Sequence, residues 1–512
     1  MRFLFCLAVS IFLFSQPAHA VWHKAEGEHF VIYANQKAST VKLFAERLEN
    51  FHAALAYIFD KEPESPSESN RITIFVVNST ANVRKLGDLK SKYAAGVYLP
   101  SAGNIVAIVP SLKSGASKRV LGSDTILRHE YAHHFLFNVS NRSFPLWFQE
   151  GMAEFFASAR HERNGTVVLG APAFHRAHEL AYSNSVPIDL LLNTSAYLSR
   201  KSKRYDQFYG RSWLLYHYLT FDQVRKGQLD QYQYFLRTGS SEMDAAKEAF
   251  GDLKTLEKEL DRYATQRRSK AFGIPLDRLK TKPVSIRRLN KGEAAMMPVI
   301  MESRTGIDDD DEAIEVVAEA RKIAMTFPDN PTVMEALAEA EFDAGYDDQA
   351  IAAADKALAL DNSLVRAQIQ KIYAFARKAK TAEDTELAWK GLRRQIVVAN
   401  RLETNHPIPL IEYYKSYRAS GKPVPDIAKD GLYRALQLAP FDQGLRMTTA
   451  AQYIEDHKFQ AAATTLRPLA YSPHRNDATQ AAEQLLELAE KEAARAAKEP
   501  QQVSNSTSNA QD

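Results

Sequence analysis

The chain has 512 residues, of which 45% are apolar and 25% are charged, so it is long enough to form several domains with buried cores. Its 65 basic and 62 acidic side chains leave a net charge of +3, which argues against a protein that mainly binds nucleic-acid phosphates or an anionic membrane. Cys6 is the single cysteine, so a disulfide framework and a thiolate metal cluster are both excluded.

Residues 1–20 have the three parts of a cleaved secretory signal. Arg2 gives a positive start, residues 3–14 are almost entirely apolar, and Ala18-His19-Ala20 offers small residues before the cut. An uncleaved anchor is the alternative, but the apolar run is too short to span a bilayer. We therefore predict a secreted or periplasmic protein. Because no later segment has 18 unbroken apolar residues, we expect no membrane span after signal cleavage.

From Val21 to about Thr220, short apolar runs alternate with stretches of helical spacing. Runs of β-branched and aromatic residues predict strands, and apolar residues three or four apart predict helices. The predicted strands are Phe30–Tyr33, Arg71–Val77 and a hairpin of Gly96–Tyr98 with Ile105–Val109. The predicted helices are Val41–Phe59, Ile126–Asn138 and Trp147–Ala159. Strands that come first and helices that follow indicate an α+β arrangement.

From about Gly292 onward the strand signals vanish, and the sequence predicts an all-α region. Pro331–Leu364 and Gln443–Asn476 resemble the 34-residue tetratricopeptide repeat (TPR), in which small residues let paired helices approach closely. Lys371–Pro409 does not keep this period, and an unspecialised alanine-rich bundle is the alternative. We expect the repeats to bind a protein partner or to present substrate, with no role for nucleic acid.

These patterns divide the chain into five parts. The predicted parts are a signal peptide at 1–20, an α+β domain at 21–270, a linker at 271–291, a helical repeat solenoid at 292–496 and a disordered tail at 497–512. The tail is assigned to disorder because it is polar and has no aromatic residue.

One short motif carries the chemistry of the first domain. His129-Glu130-Tyr131-Ala132-His133 is an HExxH sequence inside a predicted helix. Residues four apart lie on the same face of a helix, so His129 and His133 can direct their imidazoles at one cation. Two neutral imidazoles suit zinc, and Glu130 lies where it can accept a proton from a metal-activated water.

The next predicted helix supplies carboxylates in a matching pattern. Glu150 and Glu154 are four residues apart, so they share one face. If the chain turns back before this helix, Glu150 can complete a site of two histidines and one glutamate. Glu154 can then accept the remaining ring N–H of a ligating histidine and fix its orientation.

The HExxH motif followed by Trp-Phe-x-Glu-Gly-x-Ala-Glu at Trp147–Glu154 resembles the gluzincin metallopeptidases, the superfamily of thermolysin and the aminopeptidase N-like enzymes. The resemblance implies a zincin-like α+β domain that hydrolyses peptides or proteins with Zn²⁺ and no covalent intermediate. It assigns His129, His133 and Glu150 as zinc ligands, Glu130 as the general base and Glu154 as the carboxylate behind the ligands. A further likeness to secreted peptidase-like domains around Tyr209–Leu219 makes Tyr209 a candidate for steadying the oxyanion.

The Gly-x-Met-Glu-Asn-type element of the aminopeptidases is absent, which argues against aminopeptidase activity. The hairpin of Gly96–Tyr98 and Asn104–Val109 instead offers an edge strand for an extended peptide.

Several alternatives stay open. The histidines and glutamates could be ordinary core and surface residues, Tyr209 could be a core tyrosine, and His134 is interpreted as structural. A binding scaffold with a catalytically silent domain is the second functional reading.

Overall fold

The computed structural model describes residues 21–89, 96–112, 122–140, 144–200, 205–266, 268–307, 309–472 and 476–507. The predicted signal at 1–20 lies outside the described residues. The described part of the chain is mostly helical, with a six-stranded and a three-stranded sheet. None of its helices combines the length and the apolar character that crossing a membrane requires.

The strands of the described residues form two sheets. They are β1 (His23–Glu26), β2 (Phe30–Ala34), β3 (Ile72–Val77), β4 (Val97–Ser101), β5 (Asn104–Pro110), β6 (Arg160–His161), β7 (Val167–Leu169), β8 (Phe272–Ile274) and β9 (Ser285–Arg288). The larger sheet has the order β4-β5-β3-β2-β1-β9, and the smaller one has the order β6-β7-β8. In the larger sheet β2, β3 and β5 are parallel, while β4, β1 and β9 join antiparallel at the two sides. β4 is therefore an edge strand, as the sequence predicts.

The predicted helices of the first region are present to within one turn. The helices are α1 (Ala38–Phe59), α2 (Thr80–Leu86), α3 (Ser123–Val139), α4 (Leu146–Ala157), α5 (Ala177–Tyr182), α6 (Ile188–Leu191), α7 (Thr194–Leu198), α8 (Phe208–Phe221), α9 (Gln228–Arg237), α10 (Glu242–Phe250) and α11 (Leu253–Ala264). The HExxH motif lies on α3, and Glu150 and Glu154 lie on α4.

Alternate side chains of the larger sheet face two different cores, because successive residues of a strand point to opposite sides. Ile32 and Ile74, which are paired across β2 and β3, belong to the core that includes α1, α3 and α4. Phe75 and Ile108 point the other way and pack against Met297 from the C-terminal region. The sheet is thus a layer between the helices that carry the motif and a helix that follows the first region.

Residues 271–291, predicted to be a linker, contribute one strand to each sheet. β8 pairs with β7, and β9 pairs with the outer side of β1. β9 has the sequence Ser-Ile-Arg-Arg, which lacks the alternation of apolar and polar residues that marks a strand, and most of its side chains are exposed. The chain therefore passes from the larger sheet directly into the next helix.

The C-terminal region is helical throughout its described residues. Its helices are α12 (Lys291–Thr305), α13 (Asp310–Thr326), α14 (Pro331–Asp343), α15 (Asp347–Leu360), α16 (Val365–Ala379), α17 (Thr385–Leu402), α18 (Pro407–Ala419), α19 (Asp426–Leu438), α20 (Gln443–Glu455), α21 (Phe459–Ala470) and α22 (Asp477–Thr507). Each helix from α13 to α22 packs against its neighbours in sequence, which is the arrangement of a TPR-like solenoid.

The two predicted repeats are confirmed as helical hairpins. Pro331–Leu364 contains α14 and α15, and Gln443–Asn476 contains α20 and α21. Asn330 and Asp442 cap the first helix of each hairpin by accepting a backbone N–H with their side chains. The irregular stretch Lys371–Pro409 is also helical, with a long α17 that delays the start of the next hairpin.

The tail predicted to be disordered begins within the last helix. The backbone of α22 is helical as far as Thr507, so residues 497–507 continue a helix that begins at Asp477. The stretch before the tail is rich in alanine, glutamate and lysine, which favour helix and carry it beyond the expected boundary. Residues 508–512 lie outside the described residues.

The repeats contact the first region through the turn of the β4–β5 hairpin and the loop before β3. The Ala102 N–H donates to Asp442 Oδ2 at 2.8 Å, and Asn70 Nδ2 donates to the Leu438 carbonyl at 2.8 Å. Ser69 donates to Glu403 through both its N–H and its hydroxyl. These polar contacts hold the solenoid against the side of the sheet where β4 lies.

Candidate functional site

The two histidines of the motif face α4 across a narrow gap. His129 Nε2 lies 3.3 Å from His133 Nε2 and 3.3 Å from Glu150 Oε2, and His133 Nε2 lies 3.8 Å from the same oxygen. A tetrahedral zinc ion about 2.0–2.1 Å from each ligand needs ligand atoms about 3.3–3.4 Å apart. His129, His133 and Glu150 therefore fit a zinc ion, and their assignment as ligands stays a prediction that this geometry allows.

A contact between two helices brings Glu150 to this position. The Gly151 Cα lies so close to α8 that a Cβ there would be 2.8 Å from the Ser212 carbonyl carbon. Arg128 on α3 donates through Nε to the Ala157 carbonyl at the end of α4, 3.1 Å away. α4 is thus fixed on both sides. α3 itself starts after Gly122 without a side-chain cap.

Glu154 holds the ring of His129 from behind. Its Oε1 lies 3.2 Å from His129 Nδ1, and its Oε2 lies 2.6 Å from His175 Nε2. Arg176 donates to Oε1 as well. Because Nδ1 of His129 is engaged by the carboxylate, its Nε2 is directed at the gap between the helices. This is the position that the sequence predicts for Glu154.

The charges of this cluster are buried and compensate each other. Glu150 is 2% exposed and Glu154 is 1% exposed. Burial alone would raise the pKa of Glu154, but Arg176, His129 and His175 hold it well below its usual range. Burial opposes a charge on His129, yet Glu150 and Glu154 together hold the pKa of His129 well above its usual range. The carboxylates of Glu150 and Glu154 therefore favour a positive charge at the His129 imidazole, which a proton or a metal cation can supply.

His175 and Arg176 were not found from the sequence. They lie on a short 3-10 turn at Phe174–Arg176, and they reach Glu154 across more than twenty residues of chain. The sequence offers one signal that Glu154 has cationic partners, and it comes from the chemistry of a buried carboxylate. A glutamate inside the apolar helix Leu146–Ala157 needs a cationic partner, because an unpaired buried carboxylate is costly.

Glu130 faces a cavity of about 510 Å³ beside the histidines. α3 contributes Glu130, His133, His134 and Phe137 to its lining, and β4 contributes residues 98–101. The remaining wall comes from α20, α21 and the loops next to them, including Phe441, Asp442, Arg446 and Leu469. The repeats therefore close the cavity that the motif opens into, which the sequence analysis did not predict.

Tyr209 lies on the first turn of α8, near the third candidate ligand. The charge of Glu150 is the largest influence on Tyr209 and, together with burial, raises the pKa of its hydroxyl. The guanidinium of Arg176 lies over the Tyr209 ring, 4.7 Å from its centre. The structure thus brings Tyr209 close to Glu150, and its role on the oxyanion stays a prediction.

His134 connects α3 with β4 and with the repeats. Its Nδ1 lies 2.6 Å from the Tyr98 hydroxyl, and its ring packs on Tyr131 and on Phe441. Burial, with smaller effects of His52 and His29, lowers the pKa of His134 to about 3. These contacts agree with the structural role expected for His134, and they hold β4 beside the motif helix.

A second group of possible metal ligands, His29, His52 and Glu62, has a different character. The rings of His29 and His52 stack 3.5 Å apart. His52 Nδ1 lies 2.5 Å from the Tyr131 hydroxyl, and its Nε2 lies 3.1 Å from Glu62 Oε1. Since both nitrogens of His52 already have partners, we interpret this group as a hydrogen-bonded support behind α3.

The fold and the site define a mostly helical protein in which a small mixed sheet supports a cluster of histidines and carboxylates, followed by TPR-like repeats. Residues 124–236 match the family model described as "Protein of unknown function (DUF1570)". The matched range includes the candidate ligands on α3 and α4 as well as Tyr209. No curated protein matches this chain.

Among solved structures, the chain is similar to several helical repeat proteins. A thermophilic TPR protein of Thermus thermophilus is 15% identical with a TM-score of 0.33, and the match covers 38% of this chain and 98% of that one. MamA is 15% identical with a TM-score of 0.24, over 38% of this chain and 98% of that one. The APC/C hetero-tetramer Cut9-Hcn1 is 16% identical with a TM-score of 0.16, over 70% of this chain and 74% of that one.

Proposed function

We propose that this chain is an exported zinc metallopeptidase of the gluzincin type, acting on peptides or proteins. The observation that carries the proposal is the convergence of His129 Nε2, His133 Nε2 and a Glu150 oxygen within 4.8 Å of one another. Glu130, the residue that a hydrolase of this type needs as a base, faces the adjoining cavity. This combination supports hydrolysis more than it supports a purely structural histidine pair.

His129, His133 and Glu150 would hold the zinc ion, which would lower the pKa of a coordinated water and polarise the substrate carbonyl. Glu154 keeps the His129 ring oriented through the contact at Nδ1. Glu130 accepts a proton from the attacking water and delivers it to the leaving nitrogen. Tyr209 donates its hydroxyl hydrogen bond to the oxyanion that develops during the attack.

The edge strand β4 supports a peptide as the substrate. It is the outermost strand of the larger sheet on the side of the cavity, and residues 98–101 line that cavity together with Glu130 and His133. An extended peptide can add to such an edge through backbone hydrogen bonds, which bind any sequence and place a carbonyl beside the site. The TPR-like repeats bind a partner protein or present the substrate from the opposite wall.

The test compares three variants of the full-length chain. Purified parent protein is expected to hold about one zinc per chain and to hydrolyse peptides. Glu130→Gln keeps the zinc but lowers kcat by about 100- to 10,000-fold, since it removes the proton acceptor. His133→Gln loses the zinc, because it removes a ligand. His134→Gln is the matched control on the same helix and retains the metal.

Metal analysis and hydrolysis of a mixed library of fluorogenic peptides give the two readouts. A Glu130→Gln protein as active as the parent contradicts the mechanism. Parent protein without zinc and without hydrolysis favours the second reading, in which the repeats form a binding scaffold and the first region is catalytically silent.

A further inference from the structure

Arg446 is a buried cation on the wall that the repeats contribute to the cavity. It lies on α20 and is 2% exposed. Its Nη1 donates to the Thr465 carbonyl at 3.0 Å, and its Nε donates to the Pro440 carbonyl. Nη2 is buried and has no hydrogen-bond partner within the part of the chain that the structure describes. Two of the five N–H groups of the guanidinium thus anchor the side chain, and others remain for a ligand.

No carboxylate of the described residues forms an ion pair with Arg446. Burial alone acts on it and lowers its pKa to about 10, so the group is still a cation at neutral pH. Asp442 lines the same cavity, but its oxygens accept the Ala102 and Leu445 N–H groups. An unpaired buried charge is costly, and proteins keep one where an anionic ligand supplies the missing partner.

Other arginines of the repeats are different in this respect. Arg321 forms two hydrogen bonds with Glu341, and Arg377 forms several with Asp347. These pairs tie one helix to its neighbour within the solenoid. Arg446 is instead held by two backbone carbonyls and lacks an acidic partner, so its charge is not explained by helix packing alone.

The position of Arg446 relates it to the candidate site. Its guanidinium lies 5.6 Å from the centre of the Phe137 ring, and Phe137 follows His133 by four residues on α3. One helical turn is about 5.4 Å, so the cation and the metal ligands are separated by on the order of 10 Å, the length of about three extended residues. A peptide that has its scissile carbonyl at the site can reach Arg446 with a group close to the cleaved bond.

We propose that Arg446 binds a carboxylate of the substrate, so that the repeat region determines specificity for peptides with a negative charge near the scissile bond. The inference rests on the proposed peptidase function. Arginine suits this task because its planar fork of N–H groups matches the two oxygens of a carboxylate. The carboxylate can be the C-terminus of the peptide or the side chain of Asp or Glu, since both present the same group.

The experiment uses the full-length zinc-loaded protein and four forms of one fluorogenic peptide. The forms have a free or an amidated C-terminus and, independently, Asp or Asn within three residues of the cleaved bond. The parent is expected to prefer one carboxylate over its neutral analogue by about 10- to 100-fold in kcat/KM. The arm that shows the preference identifies the source of the carboxylate. Equal kcat/KM for all four forms overturns the inference while leaving the peptidase function intact.

Arg446→Gln is expected to reduce the preference to near unity by removing the charge. Arg446→Lys retains part of it, since a lysine keeps the charge without the fork. Arg393→Gln is the matched control, because Arg393 also bridges two repeat helices, through Ser416 and Ser420, but does not line the cavity. Its preference should equal that of the parent. An Arg446→Gln protein that keeps the full preference contradicts the proposal.

Two further measurements separate the possible failures. Thermal unfolding shows whether Arg446→Gln is folded. If it is not, the role of Arg446 is tested by the kcat/KM preference for the carboxylate peptide in the Arg446→Lys variant, compared with the preference of the parent. Fluorescence polarisation of labelled acid and amide peptides on Glu130→Gln protein measures binding without turnover. If the parent hydrolyses no peptide, the peptidase function fails, and equal binding of the acid and the amide then overturns the role of Arg446 as well.

Discussion

The first region and the repeats are held together in different ways. In the repeats, each helix packs against the helices next to it in sequence, and the same hairpin recurs from α14 to α22. In the first region, the candidate site depends on contacts between segments that lie far apart in the chain, such as α4 against α8 and the turn at Phe174–Arg176 against Glu154. The solenoid should therefore tolerate local changes that the first region cannot absorb.

The largest expected effect comes from a single methyl group added at Gly151. A Cβ there would meet the Ser212 backbone on α8, which cannot move as a flexible side chain can. Gly151→Ala should lower the free energy of unfolding by about 3 kcal/mol and should displace Glu150 and with it the bound zinc. Urea unfolding and zinc content of the purified protein measure the two effects.

The same substitution in the repeats should have the opposite sign. Gly391 lies inside α17, and a Cβ there would have nothing within 4 Å. Gly391→Ala should raise the free energy of unfolding by about 0.5–1 kcal/mol, because alanine restricts the unfolded chain. If both variants change stability equally, the contrast between the two regions is wrong.

An intermediate effect is expected for the carboxylate behind His129. Glu154→Gln should weaken zinc affinity by about 10- to 100-fold, because an amide orients the His129 ring less strongly than a carboxylate does. Competition with a chelator of known affinity measures the change.

Glu179→Gln is the control for loss of a buried charge. Glu179 also pairs with Arg176, at 3.2 Å, but does not contact His129. Its substitution should leave zinc affinity at the value of the parent. Equal weakening by both variants would mean that charge near Arg176, and not the contact with His129, supports the metal.

The smallest effect concerns Asp343 in the repeats and depends on pH. Burial, helped by the charge of Glu339, raises the pKa of Asp343 from 3.8 to about 7, although Arg377 and Arg366 also face it and oppose the shift. The folded state binds this proton more tightly than the unfolded state. The contribution of protonated Asp343 to the free energy of unfolding is therefore fully present below pH 4 and is lost as the pH rises through 7.

Asp343→Asn removes this loss. We expect the variant to be more stable than the parent by about 1 kcal/mol at pH 8, after allowance for solvent screening, and equal to it at pH 4. Urea unfolding at the two pH values gives the difference, and zinc affinity should not change. A parent and variant that differ equally at both pH values would contradict the assigned titration.

The sequence predicted those parts of the site whose residues are close in the chain. The spacing of His129 and His133 defines one helix face, and the spacing of Glu150 and Glu154 defines another, so both faces could be derived from helical geometry. The orientation of Glu154 toward His129 then followed from the chemistry of histidine ligands. The larger strands and the two repeats were predicted for the same reason, since their patterns are local.

The missed features all depend on distant or weakly patterned segments. β9 is short, charged and exposed, and only its partner β1 makes it a strand. Tyr205 is 63% exposed, and its hydroxyl donates to Glu179, which lies 26 positions earlier in the chain. The closure of the cavity by Phe441 and Arg446 brings together residues that lie some three hundred positions after the motif, and no local pattern carries that information.

The pairing of β9 with β1 has a practical consequence for anyone who wishes to study the two regions separately. A fragment that ends at the predicted boundary of residue 270 would lack both β8 and β9. Without β9, the backbone N–H and C=O groups on one side of β1 would lack their partners. Without α12, the apolar face of the sheet that packs against Met297 would be exposed, and both kinds of surface promote aggregation. Fragments should therefore be cut after α12 rather than before it, and insolubility of a shorter piece would say nothing about its chemistry.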